Sequence, residues 1–452
     1  MSGDPPGLAT TQVRHRYLLL LGLRWLPTGL LIPVMVLFML ERGLSLPQVG
    51  MVMAVQGFVV LGFELPTGGL ADALGRKPVL LAAAVTHLVS LAMFVVADSV
   101  AMFVVVLALQ GIFRALESGP LESWYVDATL AVEPDADIER GLSAGGVVGG
   151  LAIAAGALAA GALVATGGLP AVGGIGPASA LTLPALAAVA LQIAGLVAVA
   201  RLMVEVRPAA GVGALRASVR DMSHAIAGAA GLLRRSRVVL ALVSVELFWG
   251  FGMVAFETLM PVRLAEVVGD ADRAAVWLGP VGTAAWVASA AGAAGAAVVS
   301  RWVGAPVAAA VLRVLQGATV VAMALFAGPA AVVVAYLLCY AVHGAANPLH
   351  MGLLHRQAQG RYRTSLVSLN SMVSQPAGAL GLLVLTGIAG ALTTSIAMLV
   401  GAVALAAAAP LYLVAPRRSA RPSSPSPQPA LAATATTPAD PPYVAVTSVD
   451  HQ

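Results

Sequence analysis

The chain has 452 residues, of which 59% are hydrophobic and only 10% are charged. A soluble globular protein carries about 25% charged residues, so this composition and a mean hydropathy of +0.91 exclude a water-soluble globule and predict a polytopic membrane protein. The net charge of +4 does not indicate a nucleic-acid partner, because the basic residues are spread among hydrophobic runs instead of forming one patch.

The apolar residues divide into twelve runs of about 20 residues, the length that crosses a bilayer as a helix. They lie near residues 17–40, 48–70, 78–98, 101–129, 141–166, 180–203, 238–262, 274–299, 306–326, 329–353, 363–388 and 391–414. The first run contains Pro27 and Pro33 and has no small-residue cleavage site at the right distance, so we expect it to be retained and not removed as a signal peptide. The pattern predicts an all-α membrane protein with twelve transmembrane helices.

The basic residues between the runs predict the orientation and the domain organisation. Nineteen of the 25 lie in segments on the same side as the N-terminus and three lie in the opposite loops. The positive-inside bias therefore predicts a multi-pass protein of the inner (plasma) membrane with both termini in the cytoplasm. A cytoplasmic N-terminus (1–16) precedes a six-helix bundle (17–203), and a hydrophilic central loop (204–237) separates it from a second bundle (238–415). The Pro-, Ser- and Thr-rich segment 416–452 is predicted to be a disordered cytoplasmic tail.

The two halves show a weak internal similarity, as many duplicated transporters do. A shift of 229 residues aligns Gly75 with Gly304, brings Pro33 within one residue of Pro261, and places Arg42 near Arg273. Chance alignment in an Ala- and Gly-rich chain is the alternative.

The second run ends in a sequence typical of a tight turn between helices, GGLADALGRK at residues 68–77. Glycines allow a tight turn and close helix contact, while Asp72 can cap a helix and Arg76 can pair with an acid on another helix end. Such contacts would stabilise one state of a moving bundle. Glu64 lies about two turns before Asp72, where a carboxylate within the membrane suits a group that binds and releases a proton.

This stretch resembles the G-x-L-a-D-r-x-G-r-k signature of the major facilitator superfamily, with Ala73 where that family usually has Arg. The matching residues are Gly68, Asp72, Gly75, Arg76 and Lys77. The resemblance covers about residues 14–415 and implies the major facilitator fold of two six-helix bundles. It also implies a conformational switch in which the basic residue engages an acid at the end of helix four, here Asp127, and locks the outward-facing state.

The fourth run carries four ionisable residues, which are costly in hydrocarbon and should face a cavity or a partner. They are Arg114, Glu117, Glu122 and Asp127. The run resembles the S-G-x-x-E-A-x-x-Y-D pattern of bacterial facilitator-superfamily proteins, many of them drug or metabolite exporters. This resemblance makes Arg114 the buried arginine of helix four and makes Arg114, Glu117 and Glu122, with Glu64, the candidates for proton coupling. Alternatively, Arg114 and Glu117 form a neutral structural pair, since they are three residues apart.

The seventh and tenth runs supply most candidates for the substrate cavity. Glu246 and Glu257 are eleven residues apart and so share one helix face, which together with nearby aromatic residues would suit a substrate with aromatic and cationic character. Alternatively, Glu257 is simply hydrated near the outer end. The complete set of cavity candidates is Arg24, Trp25, Glu246, Trp249, Glu257, His343 and Asn347. A metal site at His343 and His350 would need further ligands, so we expect neither a metal nor a cofactor.

The chain carries no nucleotide-binding motif of the G-x-x-x-x-G-K-[ST] type, so we do not expect an ATP-driven pump. The family resemblance implies a secondary transporter, which is not an enzyme. We expect proton-coupled efflux of an amphipathic drug-like or natural-product molecule. The protein is expected to be a monomer whose partners are protons, its small-molecule substrate and the lipid bilayer. The Gly-rich fifth run lacks the proline of the family's antiporter motif, which weakens the antiport interpretation. A proton–solute symporter of the same fold and a non-transporting scaffold or receptor are the alternatives.

Overall fold

In the computed structural model, the described residues are 9–169, 179–205, 236–357 and 362–414, together with five single positions between 213 and 234. The side chains of residues 64–69, 72, 297 and 362–368 are outside this description. The predicted tail and most of the predicted central loop also lie outside the described residues. All ranges named above lie within one compact unit, Met1–Ala415.

Helices account for nearly all of the described residues. They are α1 (Thr10–Leu31), α2 (Met35–Glu41), α3 (Leu46–Leu74), α4 (Arg76–Val96), α5 (Val100–Glu117), α6 (Pro120–Val132), α7 (Ile138–Val164), α8 (Thr182–Leu202), α9 (Arg237–Glu257), α10 (Leu259–Val268), α11 (Ala271–Val303), α12 (Ala305–Leu325), α13 (Pro329–Arg356), α14 (Tyr362–Ala391), α15 (Thr394–Ala407) and a final 3-10 helix (Ala409–Leu413). We refer to α1–α8 as the first half and to α9–α15 with the 3-10 helix as the second half.

Within the described residues, eleven spans are long and apolar enough to cross a membrane, and α1 with α2, bent by 43°, makes a possible twelfth. The bend lies at Pro33, which has no N–H to donate. The fourth span is also interrupted, between α5 and α6, where Gly119 has a φ of +94°. The seventh is interrupted at Thr258, between α9 and α10. Three of the predicted continuous helices are therefore broken.

The spans run back and forth between two faces of the molecule. We call the face with the α3–α4 turn the motif face and the opposite face, where α2 ends, the far face. At the far face, the Arg42 guanidinium donates to the Val95 carbonyl oxygen at 3.0 Å. In the second half, the Arg263 guanidinium likewise donates to the Phe326 carbonyl oxygen at 3.0 Å. Arg263 therefore makes the same kind of contact in the second half that Arg42 makes in the first, although the 229-residue shift places Arg42 near Arg273.

The turns that begin α4 and α12 share one backbone conformation. Gly75 has φ +95° and ψ 153°, and Gly304 has φ +81° and ψ 148°. Residues with a Cβ atom rarely adopt this positive φ. The two glycines thus occupy equivalent places in the two halves, as the 229-residue shift predicts.

The two halves contact each other chiefly along α3 with α14 and along α7 with α11. Glycines allow both contacts: a Cβ atom on Gly50 would lie 2.5 Å from the Leu382 carbonyl oxygen, and one on Gly279 would lie 2.6 Å from that of Ala157. Both contacts lie towards the far face. The halves are therefore closed against each other there.

Candidate functional site

A groove with a volume of about 950 Å³ separates the halves on the motif-face side of the α7–α11 contact. It lies between α1, α6 and α7 of the first half and α11 of the second. On α7, Gly145, Gly146, Gly149 and Gly150 line it, and a Cβ atom on Gly146 or Gly150 would meet no atom within 4 Å. The glycines of the fifth run thus provide space for the groove as well as contact between helices.

The surface of the groove is mostly apolar, with a few polar groups. Leu151 and Val287 line it from opposite halves and are each 65% exposed. Trp25 and Trp286 provide one indole ring from each half, and Glu122 provides a carboxylate. An apolar cleft with few polar groups is typical of a small-molecule site. The groove can therefore accept an amphipathic molecule.

Glu117 forms an ion pair with Arg24 of α1, and the Arg24 guanidinium lies 4.0 Å from the centre of the Trp25 ring. Arg114 and Glu117 do not form the pair that their spacing allows. Residues three apart differ by about 60° around a helix; Glu117 is buried towards α1, while Arg114 is exposed. The neutral Arg114–Glu117 pair is therefore not found.

Arg114 lies near the boundary between the halves. Its charge acts on Glu117 in the first half and on Glu257 in the second. It is exposed, so the expectation of a buried arginine is wrong. The charge of the exposed Arg114 guanidinium attracts both carboxylates.

Glu257 lies beside a cluster of aromatic rings. The Tyr340 hydroxyl donates to its Oε1 at 3.5 Å, and the Tyr340 ring centre lies 4.9 Å from that of Tyr336 and 6.2 Å from that of Trp286. Glu257 itself is exposed, and Trp286 also lines the groove. Together they place a carboxylate and aromatic faces next to the groove, the chemistry that binds organic cations.

Three other predicted cavity residues lie further along α9 and α13. The Trp249 and His343 rings are stacked, with centres 5.6 Å apart. The buried Trp249 Nε1 and His343 Nδ1 atoms have no hydrogen-bond partner among the described residues. Asn347, one turn beyond His343, is exposed. The sequence analysis did not identify Tyr336, Tyr340 or Trp286, although Tyr336, Tyr340 and His343 follow the i, i+4, i+7 pattern of one helix face.

Glu246 does not line the groove. Its side chain is buried within the second half, where Oε1 lies 3.2 Å from His350 Nε2. Glu246 and Glu257 do share a helix face, since their partners His350 and Tyr340 both belong to α13. Helix periodicity predicts that shared face correctly. It cannot show that the face is exposed at Glu257 and buried at Glu246.

The α3–α4 turn is fixed to neighbouring elements at the motif face. The Arg76 guanidinium forms an ion pair with Asp127 of α6. The Lys77 backbone N–H donates to Glu205 Oε2 at 2.9 Å, and Trp124 Nε1–H donates to the Val204 carbonyl oxygen at 2.7 Å. The sequence analysis missed Glu205, whose carboxylate lies at the N-terminus of α4, where anions are stabilised. The predicted site residues Glu64, Gly68 and Asp72 have side chains outside the description.

The sequence matches the Major Facilitator Superfamily over residues 17–382. A Bacillus subtilis (strain 168) protein described as the uncharacterized MFS-type transporter YxaM is 28% identical over 103 residues, which are 23% of this chain and 26% of that protein. The chain thus matches about a quarter of the length of this curated relative.

Solved transporter structures share the fold. A bacterial homologue of the human lysosomal transporter Spinster, in an inward-facing and occupied conformation, has a TM-score of 0.72 at 14% identity, covering 91% of this chain and 97% of that one. The nucleoside transporter NupG has a TM-score of 0.68 at 13% identity, covering 89% and 98%. A POT family transporter in complex with 5-aminolevulinic acid has a TM-score of 0.65 at 12% identity, covering 88% and 95%.

Proposed function

The chain belongs to the Major Facilitator Superfamily and is a secondary transporter, and we propose that it exports an amphipathic small molecule with an aromatic and cationic part in exchange for protons. The observation that carries this proposal is the groove between the halves, with Glu257 and its aromatic neighbours beside it. A transporter that works by alternating access needs a site that both halves line, and Trp25 and Trp286 meet this requirement.

The proposed orientation assigns a conformation to the structure. If both termini are cytoplasmic, the motif face is the cytoplasmic face and the groove lies on the cytoplasmic side of the α7–α11 contact. This is the inward-facing arrangement of an exporter that is ready to bind its substrate. Rocking of the halves would then open the far face.

The Arg76–Asp127 pair suggests a role for the turn other than a simple outward lock. Both residues belong to the first half and are paired while the far face is closed. We propose that this pair and the Lys77–Glu205 hydrogen bond stiffen the first half so that it moves as one body. Gly68, Asp72 and Gly75 remain proposed switch residues of the same turn, and the positive φ of Gly75 fits this role.

For proton coupling, Glu64, Glu117 and Glu122 are the candidates in the first half. Glu117 is held by Arg24 and influenced by Arg114, so a proton on this carboxylate would weaken both attractions. Weaker attraction of Arg114 to Glu117 would favour its interaction with Glu257 of the second half. This exchange of partners would link protonation to the position of the halves.

Proton–solute symport is the second candidate. The exposed Asn347 and the unpartnered His343 Nδ1 could bind a more polar solute from the second half. The transport assay described next therefore includes neutral and anionic compounds as well as a cation.

The test is uptake into proteoliposomes that hold the full chain under an imposed pH gradient, with ethidium as the aromatic cation and neutral and anionic dyes of similar size. We expect ethidium to accumulate preferentially. Glu257→Gln should slow its initial uptake by about tenfold, in line with the loss of a charge-assisted contact of roughly 1.4 kcal/mol. Glu133→Gln, an exposed change at the motif face, should leave the rate unaltered. Equal uptake by Glu257→Gln and the unchanged protein, or a preference for the anion, would contradict the proposal.

A further inference from the structure

His350 is the centre of a hydrogen-bonded cluster inside the second half that the transport groove does not include. Its imidazole is 1% exposed. Nε2 lies 3.2 Å from Glu246 Oε1 and 3.1 Å from Asn370 Oδ1, and Nδ1 lies 2.9 Å from the Tyr412 hydroxyl. The partners come from α9, α14 and the 3-10 helix, so the cluster joins four elements through one ring.

The hydrogen-bond roles in this cluster allow two protonation states. Nε2 faces two acceptor oxygens, so it carries a hydrogen and donates. Nδ1 faces a hydroxyl, which can donate to a neutral ring nitrogen or accept from a protonated one after a simple rotation. The ring can therefore gain or lose a proton at Nδ1 and keep its hydrogen bond to Tyr412 in both states, so Nδ1 is never left unpaired, which would be costly in a buried site.

The charges around the cluster make proton binding depend on conformation. From α12, the buried Arg313 donates to Gln316 Oε1 at 2.8 Å and acts electrostatically on both Glu246 and His350. α14 contributes the neutral Asn370, the 3-10 helix contributes Tyr412, and α15 has no ionisable residue. With a neutral imidazole, Glu246 and Arg313 balance, so an added proton leaves one net positive charge in a dry interior, which is costly. A conformation that hydrates the cluster would bind the proton more tightly.

The first half provides a contrast at the same pair of spans. Arg24 and Glu117 join its first and fourth spans, as Glu246 and His350 join the first and fourth spans of the second half. Arginine stays protonated under all physiological conditions, whereas histidine titrates near neutral pH. Of these two pairs, only the Glu246–His350 pair has a cation that can lose its charge by releasing a proton near neutral pH.

We propose that Glu246, His350, Asn370 and Tyr412 form a proton-binding site in the second half, in which His350 Nδ1 takes up one exchangeable proton and the Glu246 carboxylate, paired with Nε2–H, stabilises the charged ring. The site is separate from the carboxylates of the first half. Its use in coupling rests on the proposed proton-driven transport, but its existence does not.

The experiment is an infrared pH titration of the full chain in lipid without substrate, between about pH 5 and about pH 8, where histidine normally titrates. Because the Glu246 carboxylate stabilises the proton on His350, Glu246→Gln and His350→Gln should each remove the same component of the difference spectrum from this pH range. The matched controls are Glu257→Gln and His343→Gln, which make the same changes on the same two helices outside the cluster and should keep that component. Tyr412→Phe, which removes only the hydroxyl, should keep it and move its midpoint by about half a pH unit or more.

A spectrum in which Glu246→Gln and His350→Gln remove different components, or none, would overturn the site, as would a Tyr412→Phe spectrum identical to that of the unchanged protein. The Tyr412→Phe result decides the question even if a charge variant fails to fold. Addition of ethidium at constant pH then tests coupling: release of this proton supports it. An unchanged component while ethidium is still transported would overturn its use in coupling and leave both the site and the transport function standing.

Discussion

Glu117 and Arg24 neutralise each other inside the first half, where neither would be tolerated alone. Removing one partner of a buried pair typically costs about 3–5 kcal/mol, but the Arg24 side chain is 21% exposed and regains some hydration. We therefore expect Glu117→Gln to lower the free energy of unfolding by about 1–3 kcal/mol. The measurement is denaturant unfolding of the purified protein in detergent.

Glu133→Gln is the control for this change, since Glu133 is exposed at the end of α6 and its replacement should have an effect within about 0.5 kcal/mol. Equal stability of the two variants would show that the Arg24–Glu117 pair does not stabilise the fold.

At the residue scale, the family resemblance supplied one correct partner, Asp127 for Arg76, but helix periodicity did not supply the partners of Glu117 and Glu246. The spacing of Arg114 and Glu117 indicated a pair within one helix, yet the partner of Glu117 is Arg24, from a helix far away in the chain. Periodicity describes one helix face and contains no information on what packs against it. For the same reason it placed Glu246 in a cavity, whereas the residue pairs with His350.

At the element scale, α7 shows that two glycines of one helix can have very different surroundings. A Cβ atom on Gly156 would lie 2.6 Å from the Leu26 carbonyl oxygen and 2.8 Å from the Leu30 nitrogen of α1, whereas one on Gly150 would meet no atom within 4 Å. Close contact of α1 and α7 therefore depends on Gly156 and not on Gly150.

We predict that Gly156→Ala lowers the free energy of unfolding by about 1–3 kcal/mol, because backbone atoms of α1 must move to admit the methyl group. Gly150→Ala, on the same helix, should leave stability unchanged or raise it by up to about 1 kcal/mol through helix propensity. Thermal unfolding of both variants in detergent measures the difference. A loss of stability that is equal in the two variants would mean that helix contact is not the reason for Gly156.

The existence of the spans could be predicted from hydropathy, while their breaks could not all be. Pro33 signals the bend between α1 and α2, since proline cannot donate a backbone hydrogen bond. The break before α6 depends on the positive φ of Gly119. The dipeptide Gly119–Pro120 does not identify it unambiguously, because the same dipeptide at 279–280 lies within α11. A window of about 20 residues averages over such a local change.

At the scale of the whole molecule, the internal similarity correctly indicated that Gly75 and Gly304 are equivalent. It gave no indication of how the halves meet, because the contacts depend on single glycines, such as Gly50 and Gly279, that face another helix. The groove follows from the same arrangement: the halves touch near the far face and lie apart towards the motif face, where α7 and α11 line the space between them. The sequence predicted a cavity between halves but not its position on α7 and α11.

The central claim is the exchange of a cationic amphiphile for protons, and the most direct test is the internal pH of proteoliposomes. A pH-sensitive dye is trapped inside, no initial pH gradient is imposed, and the membrane potential is clamped with potassium and valinomycin while ethidium is added outside. Ethidium has a permanent charge, so it cannot carry a proton itself, and antiport moves solute and proton in opposite directions in either protein orientation. We predict that the interior becomes more alkaline as ethidium enters and that protein-free vesicles show no change. Acidification of the interior would establish symport, and ethidium entry at constant internal pH would contradict proton coupling.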